Sequence, residues 1–123
     1  MKALVTDDSA AMRRIIQKAL ESDGWEVRTA SNGKEAMAAL ARETSWDLLL
    51  TDWHMPELDG LGLVRAVRAS SGYASLRIIV ITSEGALNMV DTALQAGAND
   101  FLMKPFSSDS LCERIAEVMN GQG

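Results

Sequence analysis

Short apolar runs of strand length take turns along this chain with longer stretches in which apolar side chains recur at steps of three and four. The alternation repeats five times, and no linker, repeat or low-complexity segment interrupts it. Parallel strands need a long crossover between them, usually a helix, so the pattern predicts an α/β fold with a five-stranded parallel sheet and helices on both faces. The strands are expected at Ala3 to Thr6, Glu26 to Ala30, Leu48 to Thr51, Ile78 to Ile81 and Asp100 to Met103. The first, third and fourth show no polar alternation, as strands buried on both faces do. Right-handed crossovers leave few ways to wind five such units, and a doubly wound sheet is the expected one.

The clearest helix is the first, where Met12, Ile15, Ile16, Ala19 and Leu20 make one apolar stripe, with Ser9 placed to cap it and Gly24 to stop the chain beyond it. The second, Gly33 to Arg42, has Asn32 and Glu35 at capping-box spacing. The third is expected at Gly60 to Ala69 and the fourth at about Ala86 to Ala96 with Gly97 as its stop. The last runs from about Ser108 to Met119 and buries Leu111, Ile115 and Val118.

A length of 123 residues predicts a single domain spanning 1–123. The 17 acidic and 12 basic side chains leave a formal charge of −5, which argues against a surface built to hold nucleic acid directly. The single cysteine, Cys112, can form neither an internal disulfide nor a multi-cysteine metal site, and inert packing is expected for it. There is no signal-peptide pattern and no apolar run near the ~18 residues of a membrane helix, so a cytoplasmic protein without membrane insertion is expected.

In a doubly wound sheet ligands bind beyond the carboxyl ends of the strands. Asp7 and Asp8 follow the first strand, Asp52 the third, Thr82 the fourth and Lys104 the fifth, while the second ends in nothing comparable. Converging on one edge, three carboxylates repel one another, and a hard cation with oxygen ligands, such as Mg²⁺, relieves them. A carboxylate beside such a cation and a lysine is also a nucleophile toward phosphorus, and Asp52 is the central candidate.

Asp7-Asp8, the stretch Asp52-Trp53-His54-Met55-Pro56 with Asp59-Gly60, the pair Thr82-Ser83 and the ending Lys104-Pro105-Phe106 resemble a response regulator receiver domain over essentially the whole chain. The resemblance implies a flavodoxin-like sheet of order 2-1-3-4-5 with five helices. It implies that Asp52 accepts a phosphoryl group from a sensor histidine kinase, that Asp8 and Asp52 ligate Mg²⁺, that Asp7 assists through water and that His54 offers its backbone carbonyl. Thr82 and Lys104 would bind the phosphoryl oxygens. Phe101 stands at the family's aromatic switch position, without the hydroxyl of the tyrosine version. His54 and Glu84 stand where the family tunes dephosphorylation, and a Lys-Pro step that is cis in the family is Lys104-Pro105 here.

The resemblance thereby implies a two-component signalling switch that catalyses its own phosphotransfer and dephosphorylation. As a monomer, it would engage a downstream protein through the fourth helix, fifth strand and fifth helix. Trp53 and Met55 resemble the chemotaxis version. Two other readings share the fold or the chemistry. One is a receiver carried in a longer regulator with an output domain. The other is a magnesium-dependent aspartyl phosphatase, which puts a second acid two residues after its nucleophile, where this chain has His54. His54 is the only histidine, and because Mg²⁺ prefers oxygen its imidazole is expected to line the mouth of the site. Gly60-Leu61-Gly62 fails as a dinucleotide fingerprint because Arg65 takes the third glycine position.

Overall fold

A computed structural model describes residues 1–83 and 87–122. Five parallel strands, β1 (Lys2–Thr6), β2 (Glu26–Ala30), β3 (Leu48–Asp52), β4 (Arg77–Thr82) and β5 (Asp100–Met103), form one sheet in the order β2-β1-β3-β4-β5. Between and after them come α1 (Ala10–Ser22), α2 (Gly33–Arg42), α3 (Gly60–Ala69), α4 (Leu87–Ala96) and α5 (Ser108–Glu117), the last continued by a wider turn over Val118–Gln122. The doubly wound architecture expected from the alternation is the one observed. The one-residue difference at β3 matters, because Asp52 is the last residue of the strand and is held by the ladder.

All five residues of β3 are buried, since helices cover both faces of the central strand. On one face Leu48 and Leu50 pack with Ile16, Leu20, Leu111 and Ile115 of α1 and α5. On the other Leu49 packs with Leu40, Leu63, Val64 and Val67 of α2 and α3. Each of these leucines contributes about 1.5–3 kcal/mol by leaving water, and Leu49→Ala would cost about 2–5 kcal/mol because two helices and the sheet cannot close the cavity together.

The helices begin where side chains can take up their free N–H groups. Ser9 Oγ accepts from Met12 N at 3.2 Å, Asn32 Oδ1 from Glu35 N at 2.8 Å, Asp59 Oδ1 from Gly62 N at 2.8 Å and Ser107 Oγ from Ser110 N at 3.0 Å. Glu35 does not complete a box with Asn32; its carboxylate accepts from Ser31 N at 2.9 Å, one residue earlier. Ile15 departs from the expected stripe and is 53% exposed. The inward face of α1 is set by Met12, Ile16, Ala19 and Leu20, and Ile15 sits to one side of it, over a shallow groove against Ser108, Asp109 and Cys112 of α5. The expected start of the fourth helix at Ala86 lies outside the described residues.

Candidate functional site

The register of the sheet assembles the site. Thr6 pairs with Thr51, Asp52 with Ile81 and Thr82 with Met103, so the carboxyl ends of β1, β3, β4 and β5 finish level with one another. Asp7, buried, steps off β1 beside Asp52, also buried, and Asp8 follows in the open. Oxygens of these three carboxylates lie within 4.8 Å of one another. Lys104, 97 and 52 residues away from its partners, places Nζ 3.5 Å from Asp7 Oδ2 and 3.4 Å from Asp52 Oδ1. The peptide bond that follows it, Lys104-Pro105, is cis.

Backbone N–H groups hold two of the three carboxylates, those of Asp7 and Asp52. Asp7 Oδ1 accepts from Ser9 N at 2.9 Å, while the carbonyl of Asp7 accepts from Arg13 Nη1 at 2.7 Å, tying the acidic turn to the second turn of α1. Asp52 Oδ1 accepts from Trp53 N at 3.0 Å. Gly60 opens α3 directly against this point; a Cβ there would lie 2.8 Å from Trp53 Cα and closer still to the Asp52 carbonyl. The loop between them is fastened a second time, by Gly33 N donating to the Leu58 carbonyl at 3.0 Å, and a Cβ on Gly33 would lie 2.7 Å from Leu58 Cβ.

The electrostatics are unbalanced. Burial and then repulsion from Asp7 push the Asp52 carboxyl above its ordinary pKa, and the Lys104 ammonium and the Trp53 N–H only partly offset them. One ammonium reaches two of the three clustered carboxylates, which leaves an excess of negative charge among them. Small, hard oxygen donors at this density fit a divalent cation of the Mg²⁺ type. An oxygen of Asp52 that is desolvated and 3.4 Å from the Lys104 ammonium is suited to attack an electrophilic phosphorus.

The structure thus brings together Asp7, Asp8, Asp52 and Lys104. Thr82 is buried at the end of β4, and its carbonyl accepts from Lys104 N at 2.8 Å. His54 lies two residues past Asp52 with an exposed side chain. Phe101, on β5, is partly exposed. Glu84 lies outside the described residues. Sequence reasoning missed Arg13 and Arg114, since an arginine on a helix looks like any solvent-facing charge and its bond to a distant carbonyl leaves no periodic trace. The sequence marks Gly33 only as the start of a helix, although its place opposite the loop after Asp52 makes it part of the site's frame.

Residues 3–116 match the family model described as the response regulator receiver domain. The chain is 45% identical over 120 residues to the chemotaxis protein CheY1 of Helicobacter pylori, covering 97% of each chain. It is 43% identical over 127 residues to a chemotaxis protein CheY homolog of Campylobacter jejuni, covering 100% of this chain and 98% of the relative. Among solved structures, the chemotaxis response regulator CheY4 of Vibrio cholerae superposes with a TM-score of 0.89 at 33% identity, over 95% of this chain and 97% of that one. A two-component system response regulator/GGDEF domain protein superposes at 0.92 with 34% identity, over 99% of this chain but 50% of its own.

Proposed function

The chain belongs to the response regulator receiver family, and from that premise we propose that it is a phosphorylation-dependent switch whose acceptor is Asp52. The observation that carries the proposal is the placement of Lys104 Nζ 3.4 Å from Asp52 Oδ1 and 3.5 Å from Asp7 Oδ2. An ammonium there offsets charge on an incoming phosphoryl oxygen as the Asp52 oxygen forms its bond to phosphorus. The P–N bond to the donor histidine of a sensor kinase breaks in the same step, and the imidazole leaves with the electron pair. Water later attacks the phosphorus and returns Asp52 as a free carboxylate.

Asp8 and Asp52 would hold Mg²⁺ directly, Asp7 through water and His54 through its carbonyl, and the fit rests on three carboxylates whose excess charge Lys104 alone does not cancel. The bound cation supplies further charge neutralisation at the transferring phosphoryl group. Thr82 would take a phosphoryl oxygen through its hydroxyl and draw its loop toward Asp52, making room into which Phe101 turns. The side chains at His54 and Glu84 would govern how easily water reaches the acyl phosphate.

The working unit is a monomeric, cytoplasmic receiver spanning 1–123, with a sensor histidine kinase upstream and a protein target on the face of α4, β5 and α5. The likeness to three chemotaxis proteins supports a place in chemotaxis signalling. A receiver carried in a longer regulator is the second reading, favoured by the response regulator/GGDEF structure, of which this chain covers 50%.

Incubation with acetyl phosphate or a phosphorylated kinase in Mg²⁺ should yield an acid-stable, base-labile phosphoprotein. Asp52→Asn should abolish it, and full labelling of that variant would refute Asp52 as the acceptor.

A further inference from the structure

β5 ends the sheet, so Phe101 has a strand on one side only. On this edge a side-chain pair takes the place of the missing strand. Phe101 N donates to Asp100 Oδ1 at 2.8 Å, and the carbonyl of Phe101 accepts from Arg114 Nη1 at 2.7 Å. The same Nη1 donates to the same Asp100 Oδ1 at 3.0 Å, which closes a ring of bonds around one residue's backbone. The guanidinium carbon then lies 5.7 Å from the centroid of the Phe101 ring, and Glu117 Oε1 lies 3.4 Å from Nε. One arginine of α5 thus touches both the backbone and the ring of a single position.

We propose that Arg114 is a positioning residue that latches Phe101 in its partly exposed orientation, and that leaving this orientation requires giving up the guanidinium. The inference rests on the proposed turning of Phe101 on activation. A ring that turns inward loses the cation over its face, and a shift of β5 that accompanies the turn stretches the bond to the Phe101 carbonyl. The latch therefore favours the resting state over the active one. Removing it lowers the demand on the phosphoryl group, because the activating ligand then acts against a smaller opposing preference.

The test compares backbone amide spectra of wild type, Arg114→Ala and Arg114→Lys in Mg²⁺, each titrated with beryllofluoride as a stand-in for the phosphoryl group. In wild type the amides of residues 100–103 should shift on binding. In Arg114→Ala the free protein should already lie part of the way along the same line, with half-saturation at about three- to tenfold less beryllofluoride, the scale of one hydrogen bond's ordinary net contribution. Arg114→Lys, which keeps the charge but loses the planar fork, should fall between the two. Wild-type shifts together with unchanged free-state positions and midpoint in Arg114→Ala would overturn the latch and leave the switching of Phe101 standing. Unmoved amides at 100–103 in wild type would overturn the switching itself, and the latch with it. Should Arg114→Ala fail to fold, Asp100→Asn, which removes the carboxylate that orients the guanidinium, should move the same resonances in the same direction, and an unchanged midpoint there would equally refute the proposal.

Discussion

At the amino end of the sheet Lys2 is fully engaged. Its Nζ lies 3.2 Å from Glu43 Oε1, donates to the Thr44 carbonyl at 2.5 Å and sits 4.5 Å from the centre of the Trp46 ring, while its backbone N–H donates to Asp47 Oδ2 at 2.8 Å. At the carboxyl end Lys104 stands about equally far from two buried carboxylates with a third close by, and its contacts are longer than those of Lys2. Two lysines at opposite ends of one sheet therefore do different things. Lys2 closes a satisfied network that joins β1 to the segment before β3, and Lys104 leaves an anion excess incompletely answered. Stability resides at the first end. The second holds an electrostatic demand that, in the proposed function, a cation and a phosphoryl group would meet together.

Substitution at the two lysines tests that contrast most sharply. Lys104→Ala should slow phosphorylation by acetyl phosphate by on the order of 10²-fold, the scale for losing one charge-stabilising group in a transition state, while leaving the fold intact by circular dichroism. A labelling rate within a factor of two of wild type would show that Lys104 has no part in the chemistry.

Next in size is the response to metal. Mg²⁺ at a hundredfold excess over its dissociation constant should stabilise the protein by about 2.7 kcal/mol, with a matching change in Trp53 fluorescence once Trp25 and Trp46 are replaced by Phe. Both effects should vanish in Asp8→Ala and persist in Lys2→Ala. An undiminished effect in Asp8→Ala would remove that residue from the site. Lys2→Ala itself should cost about 1–2 kcal/mol in urea unfolding, the range for losing an ion pair and a cation–π contact, with phosphorylation unaltered.

The smallest effect distinguishes the two ends by pH. Because burial and Asp7 raise the Asp52 pKa in the folded protein, ionised Asp52 costs stability above that pKa, and the cost disappears as pH falls and the group binds its proton. Asp52→Asn should therefore melt higher than wild type at pH 7 in metal-free buffer, with the gain shrinking as pH falls through the carboxylate range. A gain that does not depend on pH would mean that packing, and not charge, accounts for it.

Much of the fold and the site is legible in the chain. Leu48, Leu49 and Leu50 announce a strand covered on both faces, and acidic or basic residues directly after strand-length runs announce an occupied sheet edge. Ile15 shows a limit of periodicity, which gives the spacing of a stripe but not its width; α5 lies alongside without covering that residue. Lys104 can be assigned to the edge, but its two partners depend on a register that only the folded sheet supplies. Arg13, Arg114 and Gly33 share a contact that periodicity does not mark: each donates to a backbone carbonyl, which has no letter in a sequence.

The seat of Leu58 on Gly33 has a consequence for genetics. The loop that carries Trp53 and His54 is fastened at Gly60 on one side and at Gly33 on the other. Position 33 has no atom that could reach a phosphate group, yet any larger residue there must lift that loop. In a saturation screen scored on signalling output, Gly33 would tolerate change about as poorly as the acidic residues themselves, and a map of intolerance drawn from such a screen would enclose a region wider than the chemistry.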